Sequence, residues 1–345
     1  MPRKTKIVTT CMNGRLGPTI EDNRDRVLAL LDTACGLGPD IVCLPETFPS
    51  AGCDLPIEQK AETVPGPTTD ACAERARKHR THVICPILTH RDGAVFNSAV
   101  VIDRAGAVVG IYDKVQPVTS RWDMTVTEKG VTPGHEAPVF ELDCGRIGIQ
   151  ICFDIEFPET WQQLEDAGAE LVFWPSAYDG GFPLPGYAYR HSYYVVSSVR
   201  TTHSRIINPL GEVLDHTSSQ TPLAARTIDL DYIVCHTDFH FGLLEEMVRT
   251  HGAGVTVRAL REEGKFMAET NLDEVPLAKL IEQFGLTSRR QYADAHRAAH
   301  AELRQGRTPK PQRPPFAGRE PYTQTTLDEF TKMRSALGKR PGDTT

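Results

Sequence analysis

The sequence predicts an α/β fold in which two β-sheets pack face to face with helices outside both. Short apolar runs of strand length recur along the chain among amphipathic segments of helical period. Several of those runs follow one another with only turn residues between them. The helices are therefore segregated, and a strictly alternating doubly wound sheet is the poorer match. A hydrophobic content of 40% over 345 residues is enough for a sizeable core in one large domain, or one domain with an extension, folding without covalent staples.

Taken in order, Ile7 to Cys11 reads as the first strand, Ile20 to Leu37 as an amphipathic helix and Ile41 to Leu44 as the next strand. A helix over Thr68 to Arg80 is opened by the Pro67-Thr68 turn. Strands follow at Val83 to Leu88, Phe96 to Ile102 and Val108 to Tyr112, the last two separated by the turn residues Asp103 to Gly106. The apolar run Gly148-Ile149-Gln150-Ile151 stops at Cys152. Pro158 to Ala167 is the helix after it, and Leu171 to Trp174 the strand after that. Beyond residue 236 the pattern predicts a helix over Phe241 to His251 and a hairpin of Val255 to Arg258 with Lys265 to Ala268 around Glu262-Glu263-Gly264. Helices follow over Val275 to Phe284 and Ser288 to Gln305. The expected organisation is a main domain over 5–235, an ordered α/β extension over 236–305 and a basic Pro-rich tail over 306–345. The tail, with Pro309, Pro311, Pro314 and Pro315, cannot form a regular helix and is either an arm around a partner subunit or a disordered end.

Composition narrows the function classes. The net charge of −7 gives no basic footprint for nucleic acid, and no glycine-rich phosphate loop is present, so no nucleotide cofactor is implied. No apolar span approaches the length of a membrane helix, and the basic start is not followed by a leader-like run. The nine cysteines are scattered, odd in number and without a Cys-x-x-Cys pair, which argues against a disulfide framework or a zinc site and for reduced thiols in a cytoplasm.

Three strand ends carry the chemistry. Asp40-Ile41-Val42-Cys43-Leu44-Pro45-Glu46 delivers a carboxylate, Val108 to Lys114 an ammonium, and Gly148 to Cys152 a thiol. A free thiol has a pKa of about 8.5 and is a poor nucleophile at neutral pH unless a base or a cation promotes the thiolate. Glu46 is suited to take the proton, and Lys114 to stabilise thiolate and oxyanion. Together they point to acyl transfer through a thioester. Each residue alone has a plainer reading: Cys152 as inert core like Cys43, Cys85 and Cys235, Glu46 as a cap, Lys114 as an edge-strand charge.

These segments resemble those of the nitrilase superfamily of carbon-nitrogen hydrolases. The "LPE" around Glu46, the "YDK" at Lys114 and the "CFDIEFPE" from Cys152 carry the resemblance, with Asn97-Ser98, Trp174-Pro175-Ser176-Ala177 and the Ser204 to Val213 segment in the same order, over roughly residues 5 to 235. The resemblance implies a four-layer α-β-β-α sandwich, Glu46 as base, Lys114 as oxyanion stabiliser and Cys152 as nucleophile. Glu128, before Pro133-Gly134, would orient the substrate and Lys114. Such sandwiches commonly pair, so at least a dimer is expected. The stretch Tyr187, Tyr189, Tyr193 to Val196 is either part of that interface or a buried core helix. No metal or organic cofactor is needed.

The Phe153 N–H, following the nucleophile at a helical entry, is the expected second oxyanion donor. Phe173, Trp174 and Tyr178 are expected to wall an apolar pocket, and Ser176 or Tyr178 to hydrogen-bond the substrate. His191 and His203 receive no role. The residues after the thiol resemble amidase and carbamoylase relatives more than nitrilases. Where many carboxylate-reading relatives carry arginine, this chain has Glu156, which favours a neutral or amine-bearing amide unless it simply pairs with Arg190 or Arg200. The alternatives are an N-carbamoyl (ureide) amidohydrolase, a nitrilase, a transferase passing the acyl group to an amine or lipid, and a catalytically silent binding or assembly module.

Overall fold

The computed structural model describes residues 3–238, 240, 243–260, 263–271 and 275–310. Strands β1 (Lys4–Thr10), β2 (Ile41–Cys43) and β3 (His82–Arg91) run parallel in a six-stranded sheet. Antiparallel β4 (Ala94–Ile102) and β5 (Val108–Asp113) extend it beyond β3, and β12 (Leu223–Asp229) extends it beyond β1. A second six-stranded sheet has parallel β7 (Gly145–Ile149), β8 (Leu171–Ser176) and β9 (Tyr194–Val199). Antiparallel β6 (Val139–Leu142) flanks it on one side, β10 (Arg205–Ile207) and β11 (Val213–His216) on the other.

Layering follows from which faces are apolar. Helix α1 (Ile20–Cys35) begins at Thr19, whose hydroxyl accepts from the Asp22 N–H at 3.1 Å. After the single turn α2 (Ile57–Lys60), α3 (Pro67–His79) opens with proline at its first position, where no N–H is needed. Val27, Leu28 and Leu31 of α1 and Cys72 and Ala76 of α3 form one core cluster with Val8, Val42, Val83 and Val100 of the first sheet. Burying each leucine-sized side chain contributes about 2 kcal/mol. On the second sheet, α4 (Pro158–Asp166) brings Leu164 so close to β7 that a Cβ at Gly148 would lie 2.7 Å from it. Helix α5 (Pro183–His191) precedes β9. The two sheets meet through hydroxyls: Thr9 Oγ1 donates to Ser197 O at 2.5 Å, and Ser198 Oγ lies 3.0 Å from Cys43 O. The result is the expected α-β-β-α order of layers, seen in the compact unit Arg3–Leu230.

The stretch from Tyr187 to Val196 divides: Tyr187 and Tyr189 are half-buried on helix α5, whereas Tyr193 to Val196 are neither a helix nor a surface. Tyr194 to Val196 belong to β9, and all four residues are buried within the protomer, because parallel strands flanked on both faces carry continuous apolar runs. The boundary of the second unit falls between Leu230 and Asp231 rather than after residue 235. The cause is β13 (Tyr232–His236), which pairs with β15 (Lys265–Thr270), itself paired with β14 (Val255–Leu260), in a separate three-stranded sheet. That sheet shares a core with α6 (Leu243–His251) and α7 (Leu277–Phe284) through Cys235, Leu243, Met247, Phe266, Leu280 and Phe284. The last helix, α8 (Arg289–Arg304), starts with a capping box of Ser288 and Gln291. Phe241, Glu262 and the tail prolines Pro311, Pro314 and Pro315 lie outside the described residues.

Candidate active site

The three strand ends converge where the sheets face each other. Leu44 N–H still donates to Ile84 O at 3.1 Å, and Pro45, lacking an N–H, ends the pairing, so Glu46 leaves the sheet with its side chain buried. Lys114 follows β5, its N–H donating to Asn97 O and its carbonyl accepting from Gly134 N–H, both at 2.8 Å. Only glycine fits at 134, since a Cβ there would stand 2.2 Å from Asp113 O. Cys152 opens the 3₁₀ turn Cys152–Glu156 beyond β7 with φ +48°, a left-handed conformation that costs about 1–2 kcal/mol in a non-glycine residue. Trp174 Nε1 donates to the Cys152 carbonyl at 3.0 Å and holds that conformation in place.

Lys114, 1% exposed, donates to Glu46 Oε1 at 3.1 Å and to Glu128 Oε1. Asn97 Nδ2 donates to the same two carboxylates, to Glu46 Oε1 at 2.8 Å and Glu128 Oε2 at 3.0 Å. Glu128 is itself placed by a backbone φ of +38° and accepts from Val118 N–H at 3.2 Å. A fourth charge stands nearby, Arg200 Nη2 at 3.9 Å from Glu46 Oε2. The Arg200 backbone is fixed by Gly14 N–H on its carbonyl at 2.8 Å and by its own N–H to Ser176 O at 3.0 Å.

The electrostatics follow from burial and these neighbours. Burial pushes the Glu46 carboxyl up, but Lys114, Arg200 and the Asn97 amide outweigh it and leave it below the usual carboxylate value. Burial alone would lower Lys114; Glu46, Cys152 and Glu128 together raise it above an ordinary lysine. The Cys152 thiol is pushed up to about 12, first by burial and then by Glu46, against the opposing pull of Lys114, the Ala177 N–H and the Ser176 hydroxyl. The arrangement therefore holds a carboxylate, an ammonium and a neutral thiol.

Of the other expected site residues, Phe153 follows Cys152 in the turn and presents the first peptide N–H after the thiol. Trp174 and Ser176 do not line an open pocket. Both are wholly buried, Trp174 beneath the Cys152 carbonyl and Ser176 directed at the sulfur, and Phe173 is equally buried. Tyr178 is 40% exposed, edge-on to Trp174, and its hydroxyl is raised to about 12 by burial and then by Cys152 and Glu156. Glu156 is exposed and pairs with neither Arg190 nor Arg200 among the described residues, because Arg200 turns toward Glu46. His191 pairs with Glu165 and His203 with Asp179.

Asn97, read only as a landmark of the resemblance, and Arg200, weighed only as a partner for Glu156, carry no site role in the sequence reading. Asn97 was legible as a polar residue inside the apolar strand Phe96 to Ile102; Arg200 carried no signal beyond its charge. Among the described residues, one group has ligand atoms at metal-binding spacing, His82, Asp143 and Cys144. It lies at the start of β3, the end of the sheet away from Glu46, and Arg104 Nε already donates to both Asp143 oxygens.

A family model described as carbon-nitrogen hydrolase matches residues 13–234. The "Omega-amidase NIT2" of Danio rerio is 28% identical over 236 residues, covering 61% of this chain and 84% of that protein. The Homo sapiens protein of the same name is 26% identical over 230 residues, with 61% and 83% covered. Among solved structures, an amidase from Nesterenkonia sp. superposes with a TM-score of 0.56 at 20% identity, over 66% of this chain and 91% of that one. Saccharomyces cerevisiae Nit3, described as a member of branch 10 of the nitrilase superfamily, gives 0.58 at 17% identity, over 72% and 94%.

Proposed function

The chain belongs to the carbon-nitrogen hydrolase family, and from that premise we propose that it hydrolyses a small amide, neutral or amine-bearing, through a thioester on Cys152. The observation that carries this reading is the buried Lys114 ammonium shared by two carboxylates beside a thiol held at a strained strand end. The relatives named for amidase activity support it.

In this mechanism the resting sulfur stays protonated. With the thiol near 12 and Glu46 below the usual carboxylate value, proton transfer is uphill until the sulfur attacks. As the C–S bond forms, Glu46 takes the thiol proton, and the oxyanion is held by Lys114 and the Phe153 N–H. Glu46 then returns the proton to the leaving nitrogen, the C–N bond breaks, and ammonia or amine departs. A water deprotonated by Glu46 hydrolyses the thioester. Glu128 and Asn97 hold Lys114 and Glu46 in register throughout.

Two further points belong to the reading. The chain works as at least a dimer, through a surface other than the buried Tyr193 to Val196 segment. It works in a reducing cytoplasm, which its nine unpaired cysteines favour. The test is ammonia release from a panel of small amides, ureides and nitriles, with Cys152→Ala as the blank. Amide turnover that vanishes in the variant is expected; full turnover by Cys152→Ala would end the account.

A further inference from the structure

We infer that Asp154 is the positioning residue that sets Lys114 against Cys152 across the two sheets. The inference rests on the reading of Cys152 as nucleophile. Asp154 is wholly buried, and its carboxylate accepts three hydrogen bonds: from Tyr112 Oη at 2.6 Å, Gln116 N–H at 2.8 Å and Ile151 N–H at 2.7 Å. Tyr112 and Gln116 flank Lys114 at the end of β5, in the first sheet. Ile151 immediately precedes Cys152 at the end of β7, in the second. One carboxylate thus ties the segment carrying the ammonium to the segment carrying the thiol. Its own backbone is fixed as well, with Trp161 Nε1 donating to its carbonyl at 3.0 Å and its N–H donating to Ile151 O at 3.0 Å.

A buried charge without a directly paired cation is a costly way to hold a fold together, and a neutral side chain would serve packing better. No neutral residue of this size accepts all three bonds. An asparagine would turn its NH₂ toward one of the donors and leave that donor unpaired. The charge is explained by what it orients, since displacing a reacting group by about 1 Å costs about 100-fold in rate.

The arrangement also carries a pH signature. The titratable groups acting on the carboxyl are Tyr112 and Lys114, both from the β5 side; Cys152 and Glu156 share its turn, and α4 presents the non-titrating Trp161 to its backbone carbonyl. Burial pushes Asp154 up to about 6, against the Tyr112, Ile151 and Gln116 donors and Lys114. Protonation turns one acceptor oxygen into a donor and breaks a tie. A fall in kcat as pH drops through about 6 belongs to Asp154, because Glu46 ionises below the usual carboxylate value.

The experiment uses the full chain with Tyr112→Phe and Asp154→Asn, measuring kcat and KM for acetamide, propionamide and butyramide between pH 4.5 and 9. Tyr112→Phe is expected to lower kcat about 10-fold with KM nearly unchanged. It should also move the acid limb above that of the wild type, since the carboxylate has lost a donor. Asp154→Asn is expected to lower kcat about 100-fold and to remove the limb. Wild-type kcat in folded variants, or a limb persisting near 6 in Asp154→Asn, would overturn the inference; Tyr112→Phe alone decides if Asp154→Asn does not fold. If the wild type releases no ammonia, the functional reading fails instead. Single-site alkylation of Cys152 by iodoacetamide then decides the positioning role: slowing in Tyr112→Phe upholds it, and an unchanged rate overturns it.

Discussion

Replacing Glu46 by glutamine is expected to make Cys152 more reactive toward alkylating agents while removing amide turnover. The substitution keeps shape and the Asn97 bond to Oε1 but deletes a buried negative charge that, after burial itself, is the main influence raising the thiol. At a separation of roughly 5 Å and an effective dielectric of about 20, one unit charge is worth about 3 kcal/mol, or about 2 pKa units. The thiol should move from about 12 to about 10. At pH 8 the thiolate fraction then rises about 100-fold, of which about 10-fold survives the lower intrinsic nucleophilicity of a less basic sulfur. Turnover should fall about 10²- to 10⁴-fold for want of the base. Intact-mass kinetics with iodoacetamide, run beside ammonia release on wild type and Glu46→Gln, separate the two effects. Alkylation that slows in step with turnover would refute the reasoning, because the resting sulfur would then depend on Glu46 for its activation.

Lys114→Met should destabilise the fold by about 3–5 kcal/mol at pH 8, since it leaves two carboxylates facing without their shared cation. The sign with pH follows from the shifts. Lys114 is raised, so its stabilisation is complete below the unfolded lysine value and lost as pH rises through the folded one; Glu46 is lowered, so its stabilisation is present above the unfolded carboxylate value and lost as pH falls through the folded one. Urea unfolding should therefore show a smaller loss at pH 4 than at pH 8, and equal losses would contradict the assignment. Glu156→Gln, which removes an exposed charge near Tyr178 and Tyr187, should shift preference from amine-bearing toward neutral amides by about 2- to 5-fold in kcat/KM, a modest figure because the group is solvated. No change in that preference would remove Glu156 from the substrate contacts.

The positions of Glu46, Lys114 and Cys152 were legible because each ends an apolar run, and apolar runs report strands directly. What those runs cannot report is what lies across from them. Asn97 bridges to Glu46 over a sequence separation of 51, a role that exists only once β2 and β4 stand on either side of β3 in the first sheet; Tyr112 reaches Asp154 over 42, a role that waits until the two sheets have docked. Trp174 and Ser176 were read as pocket lining because an aromatic and a hydroxyl beside a nucleophile suit a substrate. Their strand is covered on both faces, and that turned them toward the Cys152 backbone and sulfur instead. A domain boundary at 235 cuts through Tyr232–His236 because the apolar Ile233, Val234 and Cys235 suit any sheet; only the register of β13 with β15 places them in the second unit.

The division of the site between two sheets also makes folding a control on the sulfur. Before docking, Cys152 is an ordinary thiol titrating near 8.5, open to any electrophile or oxidant it meets. Once β7 and β5 face each other, the same atom is buried beside a carboxylate and titrates near 12. The native chain thus shields its most consequential atom from adventitious chemistry. The chain whose sheets have not yet docked is therefore the species in which this thiol is open to oxidation.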